Sequence, residues 1–499
     1  MGRKRDIVPD VGELLRRNLR YFVIFSAAAV ALRLIFFFRF PGVVTDSFVY
    51  GDIAKNWLEH GVYGLSGPQE VSPTYIRLPG YPAFLALIFK IFGMEHYHAV
   101  LLIQILVDLG TCFLCADIAL RLFGARPAKI AFLMASLCPF FANYSAAALT
   151  ETWEIFFTAL GFNLALRALK QQSFLYWAGC GAACAAAILL RPDGGLALIA
   201  IEVYVFIICF GASHRLGGVR ATDVEAASAW RYALSAGSIV ALIAVAPLAP
   251  WAIRNWRVFH RLEPLAPRYA SEEELVPAGF NRWVKTWIAN YASVEEIYWQ
   301  EPGGPIDAAK LPSRAFDTAQ QKTETTALVA DYNRVLYVTP ELDRRFEKLV
   351  AERIRRHPLR FYLQLPGLRI LDMWLRPRTE ILPHDIRWWE FNDQPKRLVL
   401  ATGLGAMGLF YAAVGIVGCF DSRGIPYTRL LLLFVVLRSA FLGSLENPEP
   451  RYTLEMYPMV IVFGAWAIAR FRGQVDAPLK STECGSTECG VSLDRSLIQ

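Results

Sequence analysis

Charge is scarce in this chain. Of its 499 residues only 19% are Asp, Glu, Lys or Arg, while 55% are hydrophobic. Soluble domains carry roughly 25% charged residues, so the deficit excludes a large soluble enzyme and points to a bilayer. Two chemical signatures are also missing: no H-E-x-x-H pair and no G-x-x-x-x-G-K-[ST] loop occurs. Cysteine is sparse wherever a cross-link would be useful. Of the nine cysteines, Cys112, Cys115, Cys138, Cys180, Cys184, Cys209 and Cys419 fall in apolar runs, and Cys484 and Cys489 lie in the polar C-terminal stretch. No disulfide framework is implied. The Cys112-Phe-Leu-Cys115 spacing fits a redox motif, but inside an apolar run these are better read as small packing residues.

What the chain has in abundance is apolar sequence. About 20 mostly apolar residues cross ~30 Å of hydrocarbon, and candidate runs fall at 21–38, 99–123, 130–148, 153–169, 174–190, 196–211, 232–251, 398–420, 430–445 and 457–471. Residues 84–92 are too short to span and are read as interfacial or re-entrant. Residues 361–375 are interrupted by Pro366, Arg369 and Asp372 and are also left at the interface. The formal charge of +7 does not mark a nucleic-acid partner, because the basic residues gather in alternate loops. Arg16 and Arg17, Arg121 to Lys129, Arg167 and Lys170, Arg215 to Arg231, Arg423 and Arg429, and Arg470 and Arg472 share one side. That asymmetry predicts about ten spans with both ends in the cytoplasm. The first run exceeds the ~7–15 residues of a signal h-region, and no small-x-small site follows, so it reads as an uncleaved span.

The organisation expected is an N-terminal module, 1–256, with seven spans and a first outer loop at 41–98. An extracytoplasmic region at 257–396, a three-span module at 397–471 and a disordered cytoplasmic tail at 472–499 follow. The tail holds a tandem STECG repeat at 481–490. In the outer region, Thr339-Pro340-Glu341 has the composition of a helix start, and His357-Pro358 that of a stop. Phe280, Trp283, Trp287 and Tyr291 recur at near-helical spacing. They form either an aromatic face on the membrane surface or the core stripe of a small helical lobe.

This topology sorts the polar residues. One face receives Asp46, Asp52, Arg77, Glu151, Arg191, Asp193, Arg254, Glu446, Glu449 and Arg451. Ionisable groups at membrane depth are costly unless paired or working. Inside the second span, Asp108 with Gln104 reads as a buried hydrogen-bond cluster, and Asp117 as a partner of Arg121 one turn on. In a transporter these acids would instead be proton or ion sites.

Four motifs carry a resemblance: Asp46-Ser-Phe-Val-Tyr50-Gly-Asp52 soon after the first span; Arg77-Leu-Pro-Gly-Tyr81-Pro82; Leu149-Thr-Glu151-Thr opening the fourth span; and Pro250-Trp-Ala-Ile-Arg254-Asn with Arg451-Tyr452 before the last span. In this order, on one face, they resemble the GT-C-type membrane glycosyltransferases, close to the family 39 or protein-mannosyltransferase-like group. The chain departs from eukaryotic-type members in having Ser47 where they carry an Asp-Glu pair, and its large loop does not read as a β-trefoil.

The resemblance implies an all-α polytopic fold and an inverting hexosyl or pentosyl transfer from a polyprenyl-phosphate sugar. The acceptor would be a protein, lipid or glycan hydroxyl at the outer face of a bacterial inner membrane. Asp46 matches the family's catalytic Asp by position and is expected as general base, with helix capping as its structural alternative. Glu151 would orient the acceptor or share that role, or cap the fourth span. Arg77, Arg254 and Arg451, helped by Tyr452, are expected to hold the donor phosphate, since a guanidinium fork matches phosphate oxygens. Tyr50, Asp52, Tyr81 and Arg191 support them, Arg191 by pairing with Asp193. The group is regarded as metal-independent, so no cofactor is expected; a divalent cation would have only the scattered carboxylates to rest on. A transporter or flippase for a lipid-linked or anionic substrate is the alternative class.

Overall fold

The computed structural model describes residues 11–67, 70–214, 223–267, 276–383, 386–390, 394–471 and 473. The STECG repeat and the side chain of Cys209 lie outside them. The chain begins with a short helix α1 (Val11–Arg17) and the apolar α2 (Leu19–Arg39). The first loop then holds α3 (Thr45–His60), a hairpin of β1 (Gly64–Ser66) and β2 (Val71–Pro73), and α4 (Gly80–Phe92). The hairpin is antiparallel, with Leu65 opposite Ser72. A helical bundle follows: α5 (Tyr97–Phe123), α6 (Ala125–Ser136), α7 (Pro139–Ser145), α8 (Glu151–Gln171), α9 (Phe174–Leu190), α10 (Gly195–His214), α11 (Asp223–Val245) and α12 (Leu248–Phe259). A lobe contains α13 (Ala278–Lys285), α14 (Tyr291–Glu296), α15 (Ala319–Val335) and α16 (Pro340–Arg356). Then come α17 (Leu365–Leu375) and the long helices α18 (Pro395–Asp421), α19 (Thr428–Gly443) and α20 (Tyr457–Phe471).

This is a helical polytopic membrane fold. Among the described residues, five stretches are long and apolar enough to cross a membrane: Leu19–Arg39, Tyr97–Phe123, Trp230–Phe259, Pro395–Asp421 and Pro450–Phe471. Their outward faces keep large apolar side chains exposed, as at Ile24, Phe38, Leu106, Leu242 and Val399. Such faces suit lipid. Two shorter apolar helices accompany them, Gly80–Phe92 in the first loop and Phe174–Leu190 on an expected run.

The run at 130–148 differs from expectation in being a broken helix. It stops at Ser136 and restarts at Pro139, because proline has no N–H to continue the ladder. Backbone groups freed at membrane depth need internal partners, and Arg33 of α2 supplies them. Its guanidinium, 0% exposed, donates to the Ser136 carbonyl at 2.7 Å and the Ala135 carbonyl at 3.3 Å. Its Nε meets Asp108 at 2.5 Å. Asp108 is therefore the counter-ion of Arg33, which corrects the expected Asp108–Gln104 cluster. Gln104 accepts from Tyr81 at 2.8 Å and donates to the Ala147 carbonyl. Asp117 does meet Arg121, at 3.0 Å, and gains Arg167 and Asn163 of α8, both at 2.7 Å.

The lobe has its own apolar core, and it settles the aromatic stripe. Phe280, Trp283 and Trp287 are fully buried and Tyr291 nearly so, packed with Tyr332, Phe346 and Val350. The stripe is core and not a membrane-facing surface. Helix α16 begins as its sequence predicts: Thr339 accepts from Leu342 N at 3.2 Å, and Pro340 opens the first turn. Residues 361–375 form the joint between lobe and bundle. Arg369, 0% exposed, donates to the carbonyls of Ile288 at 2.8 Å and Gly443 at 3.2 Å, and to that of Lys285.

Candidate active site

The site grows from the first loop. Helix α3 has Val44 at its N-cap, and the Val44 N–H donates to Ser47 Oγ at 3.1 Å. Asp46 is thus relieved of capping. Its carboxylate turns instead to two arginines from opposite ends of the sequence. Arg77 Nη2 lies 3.1 Å from Oδ1, and Arg451 Nη2 lies 3.3 Å from Oδ2.

Several contacts hold Arg77 in place. Tyr63 donates its hydroxyl to the Arg77 carbonyl at 2.9 Å. The guanidinium stands over the Tyr50 ring at 5.5 Å, and Tyr50 packs edge-on against Tyr81. Gly80 lets this turn lie directly on the end of α9, where a Cβ would meet the Leu189 carbonyl at 2.6 Å. Asp52 serves the same scaffold, accepting from Ser66 N at 2.7 Å and Ser66 Oγ at 2.6 Å.

Arg451 is the hub. Besides Asp46, its Nε approaches Glu449 at 2.7 Å and Glu151 at 3.4 Å. Glu151 is the first residue of α8 and is buried. Behind it stands a second arginine, Arg191, 3.2 Å from Asp193, 3.5 Å from Glu154 and 3.9 Å from Glu151. The Tyr452 ring contacts both, with Arg191 4.4 Å and Arg451 5.4 Å from its centre. Asp193 continues to Arg438 at 2.9 Å, and Arg438 pairs also with Glu455. From the lobe side Glu380 joins the edge of the cluster, accepting from Tyr144 at 3.2 Å.

Arg254 is placed elsewhere. It donates to the carbonyls of Thr74 and Tyr63, each at 2.7 Å, so it clamps the hairpin and is linked to Arg77 through Tyr63. It borders a cavity of about 550 Å³ walled by Trp57, Tyr63, Pro79, Leu189 and Trp251.

Electrostatics divide the acids. Burial would raise Asp46, but Arg451 and Arg77 outweigh it and hold the carboxyl below its ordinary range. Burial lifts Glu380 to about 7, with Glu449 adding to the rise. Glu449 is itself raised by burial. The cluster also leaves polar atoms without hydrogen-bond partners: Arg77 Nε and Arg451 Nε among donors, and Glu151 Oε2, Glu449 Oε2, Glu380 Oε1 and both Glu154 oxygens among acceptors. Arg451 Nε is near Glu449 yet not aligned for a hydrogen bond. Among the described residues no group of three or more His, Cys, Asp or Glu is arranged to hold a metal ion.

Of the residues expected from sequence, Asp46, Arg77, Glu151, Arg191, Asp193, Glu449, Arg451 and Tyr452 come together, with Tyr50 and Tyr81 beneath Arg77. Asp52 and Arg254 brace the loop. Sequence reasoning passed over Glu154, Glu380, Arg438 and Glu455. Glu154 was within reach, since it lies one turn after Glu151 on the same helical face. Arg438 was hidden inside an apolar run. Glu380 carries no local signal.

A largely buried cluster of arginines and carboxylates, fed by an ordered first loop, defines the class of site. The resemblance read from the motifs is borne out over part of the chain: residues 73–251 match the family model described as dolichyl-phosphate-mannose-protein mannosyltransferase, a GT-C family. That segment contains Arg77, Tyr81, Glu151, Arg191 and Asp193; Asp46 and Arg451 lie outside it. Among curated proteins none matches. Solved structures that are similar include the archaeal oligosaccharyltransferase AglB from Archaeoglobus fulgidus, in complex with an inhibitory peptide and a dolichol-phosphate. Its identity is 15% and its TM-score 0.44, over 92% of this chain and 52% of that one. ArnT from Cupriavidus metallidurans bound to undecaprenyl phosphate has 16% identity and a TM-score of 0.38, over 91% and 78%. The chain spans about half the length of the archaeal enzyme.

Proposed function

We propose that the protein transfers a sugar from a polyprenyl-phosphate donor to an acceptor hydroxyl, with Asp46 as general base and Arg77 and Arg451 holding the donor phosphate. The observation that carries this reading is the bridge of both arginines to one carboxylate. Two convergent guanidinium groups form a phosphate site, and the acid between them stands where the nucleophile's proton must go. In the reaction the acceptor oxygen attacks the anomeric carbon with inversion, and the bond from that carbon to the phosphate oxygen breaks. Its electron pair leaves on the polyprenyl phosphate, whose charge the arginines stabilise. The proton passes to Asp46.

The excess of partnerless acceptor atoms supports the same reading, because a sugar or acceptor brings the hydroxyl donors they need. The cavity beside Arg254 is apolar enough to lodge part of an isoprenoid chain, which gives Arg254 a positioning role through Tyr63. The donor phosphate competes with Asp46 for the arginines. Its arrival therefore frees the carboxylate and makes it a stronger base, so donor binding precedes deprotonation. The alternation of basic loops supports a site on the outer face of a bacterial inner membrane, with 257–396 extracytoplasmic. A protein, lipid or glycan acceptor is consistent with the site.

The competing class is a carrier. Against it, Asp108 and Asp117 have arginine partners and are not poised as proton sites. The test is reconstitution of the full chain in sealed vesicles with labelled polyprenyl-phosphate hexose and pentose donors and candidate acceptors. Label appearing in acceptor is the expected result. Transmembrane flux of donor without transfer would assign the protein to the carriers.

A further inference from the structure

We propose that the end of the bundle opposite Asp46 carries a separate binding site for the phosphodiester headgroup of an anionic phospholipid. Helices α18 and α19 meet there in a short turn. A cavity of about 250 Å³ opens between this turn and α20, lined by Arg423, Arg429, Ser422, Thr428, Leu432 and Phe463, with Cys419 at its edge. Two features give it cationic character. Arg423 and Arg429 are exposed, and neither forms an ion pair among the described residues. The acid closest to them in sequence, Asp421, is already paired with Arg470. Arg423 is held over the Phe420 ring at 4.1 Å, which orients it without neutralising it.

The second feature is the start of α19. Its N-cap is Tyr427, in the left-handed region at φ 68°, and no side chain caps the helix. The Thr428 hydroxyl is directed backward, donating to the carbonyls of Ile425 at 2.8 Å and Ser422 at 3.2 Å. The positive end of a 16-residue helix thus borders the cavity together with two arginines, a combination that attracts phosphate. A free anion would need only those charges. The apolar wall argues for a lipid: Leu432 and Phe463 line the cavity, and the exposed Phe420 (57%) continues it along the membrane-facing side of α18, where acyl chains would lie. Basic pockets between transmembrane helices suit anionic headgroups. This site shares no residue with the Asp46 cluster and stands whether or not the transfer reaction does.

The probe is phosphatidylglycerol, titrated onto the purified full chain and followed by native mass spectrometry. Phosphatidylcholine and inorganic phosphate serve as the other arms. The expected result is retention of phosphatidylglycerol in preference to phosphatidylcholine, weakened about thirtyfold in Arg423→Gln/Arg429→Gln, from roughly tenfold or less for each arginine. Arg126→Gln, in the first turn of α6 at the same end, should leave the binding unchanged. Unaltered phosphatidylglycerol binding in the double variant would overturn the proposal. So would displacement of the lipid by millimolar inorganic phosphate, which would make this a free-phosphate site. Should the double variant fail to fold, either single variant gives the same discrimination at smaller amplitude.

Discussion

Two arginines held mostly out of solvent in this protein live very differently. Arg33 is saturated: it has Asp108 at 2.5 Å, carbonyls at 2.7 Å, 3.0 Å and 3.3 Å, and Cys112 Sγ at 3.4 Å. Arg451 is crowded by three carboxylates, Asp46, Glu151 and Glu449, and its Nε still lacks an aligned acceptor. The first is what a bilayer requires of a structural ion pair, with every donor nitrogen partnered and two of the contacts mending a broken helix. The second carries an unspent hydrogen-bonding capacity that folding alone does not explain. Leaving such atoms buried and unmet costs about 1–3 kcal/mol each, a cost suited to a site that a ligand completes.

The contrast can be pressed from both sides. Arg33→Ala should lower stability by about 3–5 kcal/mol, because it strands the Asp108 charge and the carbonyls at the helix break; thermal melting in detergent measures it. The paired change Arg33→Met/Asp108→Leu should recover much of that loss. Failure to recover would mean that the carbonyls, and not the charge pair, dominate. Arg77→Ala should fold normally yet weaken donor binding by roughly 1.5–3 kcal/mol, about tenfold to a hundredfold, as expected for a charge-assisted hydrogen bond. Equilibrium binding of a polyprenyl phosphate reads this directly, and unchanged binding would remove Arg77 from the phosphate clamp.

A smaller effect belongs to Glu380. Its folded-state carboxyl is raised from 4.5 to about 7, so between those values the folded chain holds a proton that the unfolded chain has lost. The sign follows from proton linkage: its contribution to stability is fully present below about pH 4.5 and is lost as pH rises through about 7. Glu380→Gln should flatten that part of the melting-temperature profile. A slope that persists would place the titration on another group.

How much of this was legible beforehand follows the physics of each signal. The apolar runs, the start of α16 and the short loop piece at α4 could be read because length, capping and hydropathy are local. The break at Ser136–Pro139 was less visible, since its remedy, Arg33, lies a hundred residues away. The same holds at the site. Asp46, Arg77, Glu151 and Arg451 could be placed on one face from topology, but the joint grip of Arg77 and Arg451 on Asp46 required the fold. Arg254 looked equivalent to the other arginines at the sequence level, and only the hairpin carbonyls it holds separate it from them. The aromatic stripe at Phe280–Trp287 had two homes by periodicity, and only burial chose between them.

In the proposed reaction Asp46 takes the proton once the arginines have moved to phosphate. The most direct measurement is single-turnover transfer by donor-saturated Asp46→Asn beside wild type, with donor affinity determined on the same reconstituted samples. The prediction is donor binding as tight as wild type or tighter, since both arginines are released, with transfer slowed about 10²–10⁴-fold as for loss of a general base. Transfer at the wild-type rate from a fully bound donor would contradict it.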